Sequence, residues 1–281
     1  MPQKTILFLG CGYVGERLGY HLYKEGWKVY ATTRTPYSHS HLKELGFTPV
    51  LFSAVSSLEN ISHVLSSIPP EEEGDAGLLF LKRQQHTPSW IGYLSSTSVY
   101  GDHQGHWVNE NSETRAQSPE GLRRLKSEVA WKDFAEQQGS SLLIYRLAGI
   151  YGPYRNIFQR MKEGKEFPKE VSHHLFSRIH VDDICTFLLK SLSLSSKFSI
   201  FNGADDLPAS FESVQSYAYS LMQEENFLKI KSDKEEDVVH PSFLKEKRRV
   251  SNLKMKKFLE RDLKFPTFRE GLKDIYQKRL F

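Results

Sequence analysis

Thr5-Ile6-Leu7-Phe8-Leu9 runs directly into Gly10-Cys11-Gly12-Tyr13-Val14-Gly15, after which Arg17, Leu18, Leu22 and Tyr23 keep a helical period as far as Gly26. The order is strand, glycine turn, helix. In the spacing G-x-G-x-x-G, Gly10 permits a tight turn, Gly12 lets backbone amides approach a pyrophosphate, and Gly15 lets the helix pack closely on the strand. The helix N-terminus adds N–H donors and a partial positive charge.

Taken alone the triplet also fits an ordinary strand-to-helix turn, so its context decides. Gly26 reads as a C-cap and Trp27 to Thr32 as a second strand rich in β-formers. This strand–helix–strand unit is the start of a Rossmann fold, with Gly10, Cys11, Gly12, Tyr13, Val14 and Gly15 as the phosphate loop. Past the second strand, where an acidic residue would bind a ribose 2′-hydroxyl, the chain reads Thr32-Thr33-Arg34-Thr35. Arg34, assisted by Thr33 or Thr35, suits a 2′-phosphate; the expected cofactor is NADP, with NAD the alternative. The competing reading is a solvated loop arginine.

Pro49 to Ser53 reads as a third strand, His63 to Ile68 as a fourth before Pro69-Pro70, Asp75 to Gln85 as a helix, and Trp90 to Leu94 as a fifth strand. Alternating strands and helices predict an α/β fold with a parallel, doubly wound sheet. Ligands bind beyond the carboxyl ends of such strands, so Gly10 to Gly15, Arg34, Pro69 and Ser95 to Tyr100 should line one edge.

The 281 residues, 39% hydrophobic, suffice for a large α/β domain with a smaller lobe. The 38 basic and 34 acidic residues are spread along the chain, which leaves no nucleic-acid footprint, and Lys245 to Arg249 reads as a solvated face. Cys11 and Cys185 lack metal-ligand spacing, no metal site is expected, and reduced thiols fit a cytoplasmic protein. No apolar stretch approaches bilayer length, and the start lacks a signal-peptide pattern.

Four further blocks carry a resemblance: Ser95-Ser96-Thr97-Ser98-Val99-Tyr100-Gly101, Arg146 to Pro153, His180-Val181-Asp182-Asp183-Ile184 and Phe201-Asn202-Gly203. In order and spacing, together with the glycine loop, the chain resembles the NAD(P)-dependent epimerase/dehydratase family, the extended short-chain dehydrogenase/reductases. The resemblance implies a cofactor lobe of residues 1–152 plus 178–203, a smaller C-terminal substrate lobe of 153–177 plus 204–281, and hydride exchange with a nucleotide sugar or other hydroxyl or carbonyl compound. Ser96 matches the family's serine, whose hydroxyl would bond the reacting oxygen; Ser95 joins the cofactor set, although Ser95 to Ser98 could equally cap a strand end. The implied partners are a small-molecule substrate and at most a second copy of the chain, without nucleic acid or membrane.

The departure lies in the helix after the fifth strand. Family members place Tyr-x-x-x-Lys there, but no tyrosine lies between Trp107 and Tyr145. Aligned on Glu128, the tyrosine falls on Glu120 and the lysine on Arg124; aligned on Lys126, the tyrosine falls on Leu122. Arg124 can hold a ribose, but its charge is permanent and it cannot supply a proton. The chain resembles the atypical extended members. A relocated acid is therefore sought among Tyr100, His103, His106 and Tyr151. An NADP-binding redox sensor or scaffold without turnover is the alternative function. Asp182-Asp183 reads as a helix start favoured by the dipole, and Lys162 to Lys169 with His173-His174 as loop.

Overall fold

The computed structural model describes residues 3–53, 58, 60–84, 87–164, 174–223 and 246–281. Gln85, Lys165 to Lys169, His173 and Lys245, which figured in the sequence reading, lie outside them. In chain order the elements are β1 (Thr5–Leu9), α1 (Tyr13–Lys24), β2 (Lys28–Thr33), α2 (His39–Glu44), β3 (Thr48–Leu51), β4 (His63–Ser66), α3 (Ala76–Arg83), β5 (Trp90–Ser96), β6 (Trp107–Val108), α4 (Pro119–Gln138) and β7 (Ser141–Leu147). There follow β8 (Gly149–Tyr151), α5 (Ile157–Lys162), β9 (Arg178–His180), α6 (Val181–Ser191), β10 (Phe198–Gly203), α7 (Phe211–Gln223), β11 (Arg249–Val250), α8 (Leu253–Leu259) and α9 (Phe268–Gln277).

A seven-stranded sheet in the order β10-β7-β5-β4-β1-β2-β3 confirms the Rossmann expectation. The pairings from β3 through β2, β1 and β4 to β5 are all parallel. The predicted strands fall within two residues of the observed ones, and β5 continues through Ser95 and Ser96. β1 and β4 are buried along their whole length, with Ile6 to Leu9 and Val64-Leu65 apolar, as in parallel strands covered on both faces. Gly26, at φ +85°, closes α1 as read from sequence: its N–H reaches the Tyr23 carbonyl and that of Trp27 the Leu22 carbonyl.

The chain divides into two compact units, residues 1–96, 119–146 and 185–201 in the first, and 97–118, 147–184 and 202–281 in the second. Relative to the lobes expected from sequence, 97–118, 147–152, 178–184 and 202–203 group with the second unit. The reason is pairing: β6 pairs with β11, and β8 with β9, in two small parallel sheets of their own. The first unit's core gathers Leu7, Val64, Ile91, Tyr93, Trp131 and Ile144; the second's gathers Tyr151, Phe158, Ala218, Phe268 and Ile275.

Two buried carboxylates lock helices onto the large sheet. Asp75 caps α3 by accepting from the Leu78 N–H and also accepts from Trp131 Nε1 on α4, each at 2.9 Å. Glu128 on α4 receives Arg146 Nε at 3.0 Å and Nη2 at 2.7 Å from β7, and the Ser95 hydroxyl at 2.6 Å from β5. The forked geometry satisfies both ions inside the protein. Glu128→Ala leaves a buried guanidinium uncompensated and should cost about 3–5 kcal/mol in urea unfolding. Arg146→Met in the same background should recover part of it; a Glu128→Ala loss below about 1 kcal/mol would contradict the account.

Candidate functional site

In the first unit the glycine turn is built from both sides. Gly10 has φ +78°, donates its N–H to Thr32 Oγ1 at 2.9 Å and accepts from Ser67 Oγ at 2.6 Å. A Cβ there would lie 2.8 Å from Ile68 Cγ1, so only glycine fits. Gly12 is the N-cap of α1, no side chain caps that helix end, and a Cβ on Gly12 would meet nothing within 4 Å. Gly15 packs as expected, its Cβ position 3.4 Å from Phe8 Cδ1 and Cys11 Sγ. Val14 is buried, and the Tyr13 ring lies under Arg17. The Cys11 thiol is pushed up to about 12 by burial and by Glu16, which keeps it protonated and unreactive.

At the same edge Arg34 follows β2 as an exposed side chain, while Thr33 Oγ1 is 2.8 Å from His39 Nε2, so that hydroxyl already has a partner. Pro69 is exposed beyond β4. Ser96 ends β5 half-buried, whereas the Ser95 hydroxyl is consumed by Glu128 and leaves only backbone to offer a ligand. Arg124 donates from Nη1 to the Leu94 carbonyl at 2.8 Å and the Tyr93 hydroxyl at 3.3 Å, which holds its guanidinium on the end of β5. Glu120, one turn earlier, is exposed and 3.8 Å from Arg123; no phenol stands on α4.

In the second unit the candidates for a relocated acid separate. Tyr100, placed by a 3₁₀ turn over Thr97–Tyr100, is fully buried and donates its hydroxyl to Asn202 Oδ1 at 2.8 Å. That commits it to the interior, contrary to a role as an exposed acid. His103 Nε2 lies 3.1 Å from the Glu113 carbonyl in a polar surface depression shared with His106 and Arg115. Asp183 accepts the Lys264 and Phe265 N–H groups, and Asp182 pairs with Lys264 Nζ at 2.9 Å, so the acidic pair is structural as read. Tyr151 lines a separate cavity of about 500 Å³. Its hydroxyl donates to the Thr267 carbonyl at 3.3 Å, and burial first, then Asp205, hold its pKa well above the usual phenol value.

The sequence reading missed that cavity's charged groups. Arg155, Arg160, Arg178, Arg248 and Glu246 line it among aromatic walls. Tyr154, also lining it, is 68% exposed with φ +60°, a conformation costly for a bulky residue and held by its N–H bond to the Leu280 carbonyl. Arg178 lies over the Phe211 ring and donates from Nη1 to the Phe176 and Ala209 carbonyls at 2.9 and 2.7 Å. Burial lowers its pKa to about 10. Nearby, burial raises Asp205 to about 8 against the opposing pull of Arg178.

The family model for the NAD dependent epimerase/dehydratase family matches residues 81–202, and solved epimerase and dehydratase structures share the fold across nearly the whole chain. Residues 81–202 are thus similar to that family, and the chain shares its fold. A conserved protein of unknown function from Silicibacter pomeroyi DSS is 31% identical, covers 99% of both chains and superposes with a TM-score of 0.83. Protein YeeZ of Escherichia coli K12 is 25% identical over 218 residues, 71% of this chain and 77% of its own. The UDP-glucuronic acid 4-epimerase of Bacillus cereus, solved with NAD, is 17% identical with a TM-score of 0.75, covering 97% and 96% of the two chains. The match to the epimerase/dehydratase family model supports a nicotinamide-cofactor-binding, oxidoreductase-like function in general terms. The residues present fit that cofactor: an uncapped helix end faces an open position at Gly12, beside a turn only Gly10 can make. Among the described residues, no helix is long and apolar enough to cross a membrane.

Asp205 makes a pH prediction. Its folded pKa lies above the ordinary carboxylate value, so between about pH 4 and pH 8 the native state keeps a proton the unfolded chain releases, and stability falls as pH rises through that window. Asp205→Asn keeps an oxygen for the Leu207 N–H and removes the titration. The variant should lose less Tm than wild type between about pH 5 and about pH 8.5; parallel Tm curves would contradict the assignment.

Proposed function

We propose that the protein is an NADP-dependent oxidoreductase of the epimerase/dehydratase type, acting on a small hydroxyl or carbonyl compound, the class to which nucleotide sugars belong. The observation that carries the reading is the open position at Gly12, on a helix N-terminus that no side chain caps. Bound NADP would supply the hydride acceptor or donor. The amides of Gly10 to Gly15 hold its pyrophosphate, Arg34 its 2′-phosphate and Arg124 its nicotinamide ribose, with the Ser96 hydroxyl hydrogen-bonding the reacting oxygen. The cavity lined by Tyr151 and Arg178 takes the substrate. The UDP-glucuronic acid 4-epimerase solved with NAD lends the reaction type.

A second reading, an NADP-binding sensor or scaffold, draws support from the absent phenol on α4 and the interior position of Tyr100.

Wild type should bind NADPH more tightly than NADH, and Arg34→Ala should lose about 1.5–3 kcal/mol for NADPH alone in calorimetry. Equal affinities in wild type would remove the NADP assignment. Ser96→Ala should lower turnover on the order of 10²-fold with NADPH affinity nearly unchanged. Tight NADPH binding with no deuteride transfer from labelled NADPH to any compound in a broad metabolite extract would favour the sensor.

A further inference from the structure

Two buried groups of the second unit's cavity are left with unmet hydrogen-bonding capacity. Arg178 Nη2 is sealed from solvent with no acceptor, although Nη1 of the same guanidinium is fixed by two carbonyls and its plane rests near the Phe211 ring. Glu246, 9% exposed, gives Oε2 to Arg248 Nη1 at 2.7 Å and leaves Oε1 without a donor. Both side chains line the cavity. A buried donor and a buried acceptor left open in this way are costly unless a ligand completes them.

Among the described residues, part of the neutral polar lining is already engaged. Asn156 donates from Nδ2 to the Gly152 and Leu280 carbonyls and accepts the Gln159 N–H, while Gln159 donates to Glu163. Ser177 Oγ accepts the Val250 N–H. The remaining walls are largely apolar, with Tyr151, Phe176, Phe211 and Phe268 prominent. A hexose, with a hydroxyl on nearly every carbon, would strand most of its hydroxyls against such walls. An apolar ring would not.

We propose that this cavity recognises a small acid with an apolar or aromatic body, its anionic group on Arg178 Nη2 and a hydroxyl or amino donor on Glu246 Oε1, in preference to a nucleotide sugar. The inference rests on the reading of this cavity as the substrate site, and it narrows the substrate to a hydroxy acid or its phosphate counterpart. Among the described lining residues, four arginines stand against one carboxylate, which favours an anion. Nη1 stays fixed by its two carbonyls, and the groups that close Nη2 from solvent must give way for the anion to reach it.

The test is calorimetry on the full chain, with and without saturating NADPH, using phenyllactate, its methyl ester, phenyl phosphate, UDP-glucose and UDP-glucuronic acid as probes. Phenyllactate or phenyl phosphate should bind at least tenfold more tightly than the methyl ester and than either UDP-sugar. Which of the two acids binds better decides between carboxylate and phosphate. Arg178→Gln should reduce that affinity at least tenfold, and Glu246→Gln should weaken phenyllactate more than phenyl phosphate, which lacks the hydroxyl. The methyl ester tests the Arg178 contact without altering the protein, should the variant fold poorly. UDP-sugars binding more tightly than the acids, in an Arg178-dependent way, would overturn the substrate class while keeping the cavity as substrate site. No binding by any probe, with NADPH binding intact, would overturn both the proposal and the cavity's assignment.

Discussion

The left-handed turn at Gly10 is the constraint from which the cofactor edge follows. Its N–H is held by Thr32 from β2 and its carbonyl by Ser67 beyond β4, so the two strands flanking β1 fix the turn from opposite sides. With the turn pinned, α1 must begin at Gly12 with no side chain capping it, and a side chain at Gly10 is excluded by Ile68. The parallel pairing then carries the ends of β2, β4 and β5 to that same edge, bringing Arg34, Pro69 and Ser96 with them.

Glu128 fixes the long helix α4 on the large sheet. The buried pairing with Arg146 and Ser95 fixes α4 against β5 and β7, so Arg124 arrives at the end of β5 and grips the Leu94 carbonyl. One turn before Arg124 the helix exposes Glu120, and α4 carries no phenol in either register that the sequence allows.

The glycine loop, the strand succession and the absence of an acidic residue after β2 were legible because each depends on residues near one another in sequence. The unit boundaries were not. They are set by short strands that pair across the chain, Trp107 with Arg249 and Gly149 with Arg178, and two-residue strands such as β6 and β11 leave no periodicity to read. The interior placement of Tyr100 was not legible because its spacing from Ser96 says nothing of the 3₁₀ turn that carries its hydroxyl to Asn202. Arg178, Asp205 and Glu246 escaped notice because only burial distinguishes them from the chain's other charged residues.

The central claim, that the glycine turn binds the dinucleotide, is tested most directly by hydrogen exchange measured by mass spectrometry on wild type and Gly12→Ala with and without NADPH. Gly12 has an ordinary extended φ of −107° and open space around it, so alanine there leaves the fold intact and fills only the position the pyrophosphate needs. NADPH should slow exchange across residues 8–18 and 32–35 in wild type and should do so far less in the variant at the same concentration. Exchange in those segments that ignores NADPH, or protection that is equal in the variant, would contradict the account.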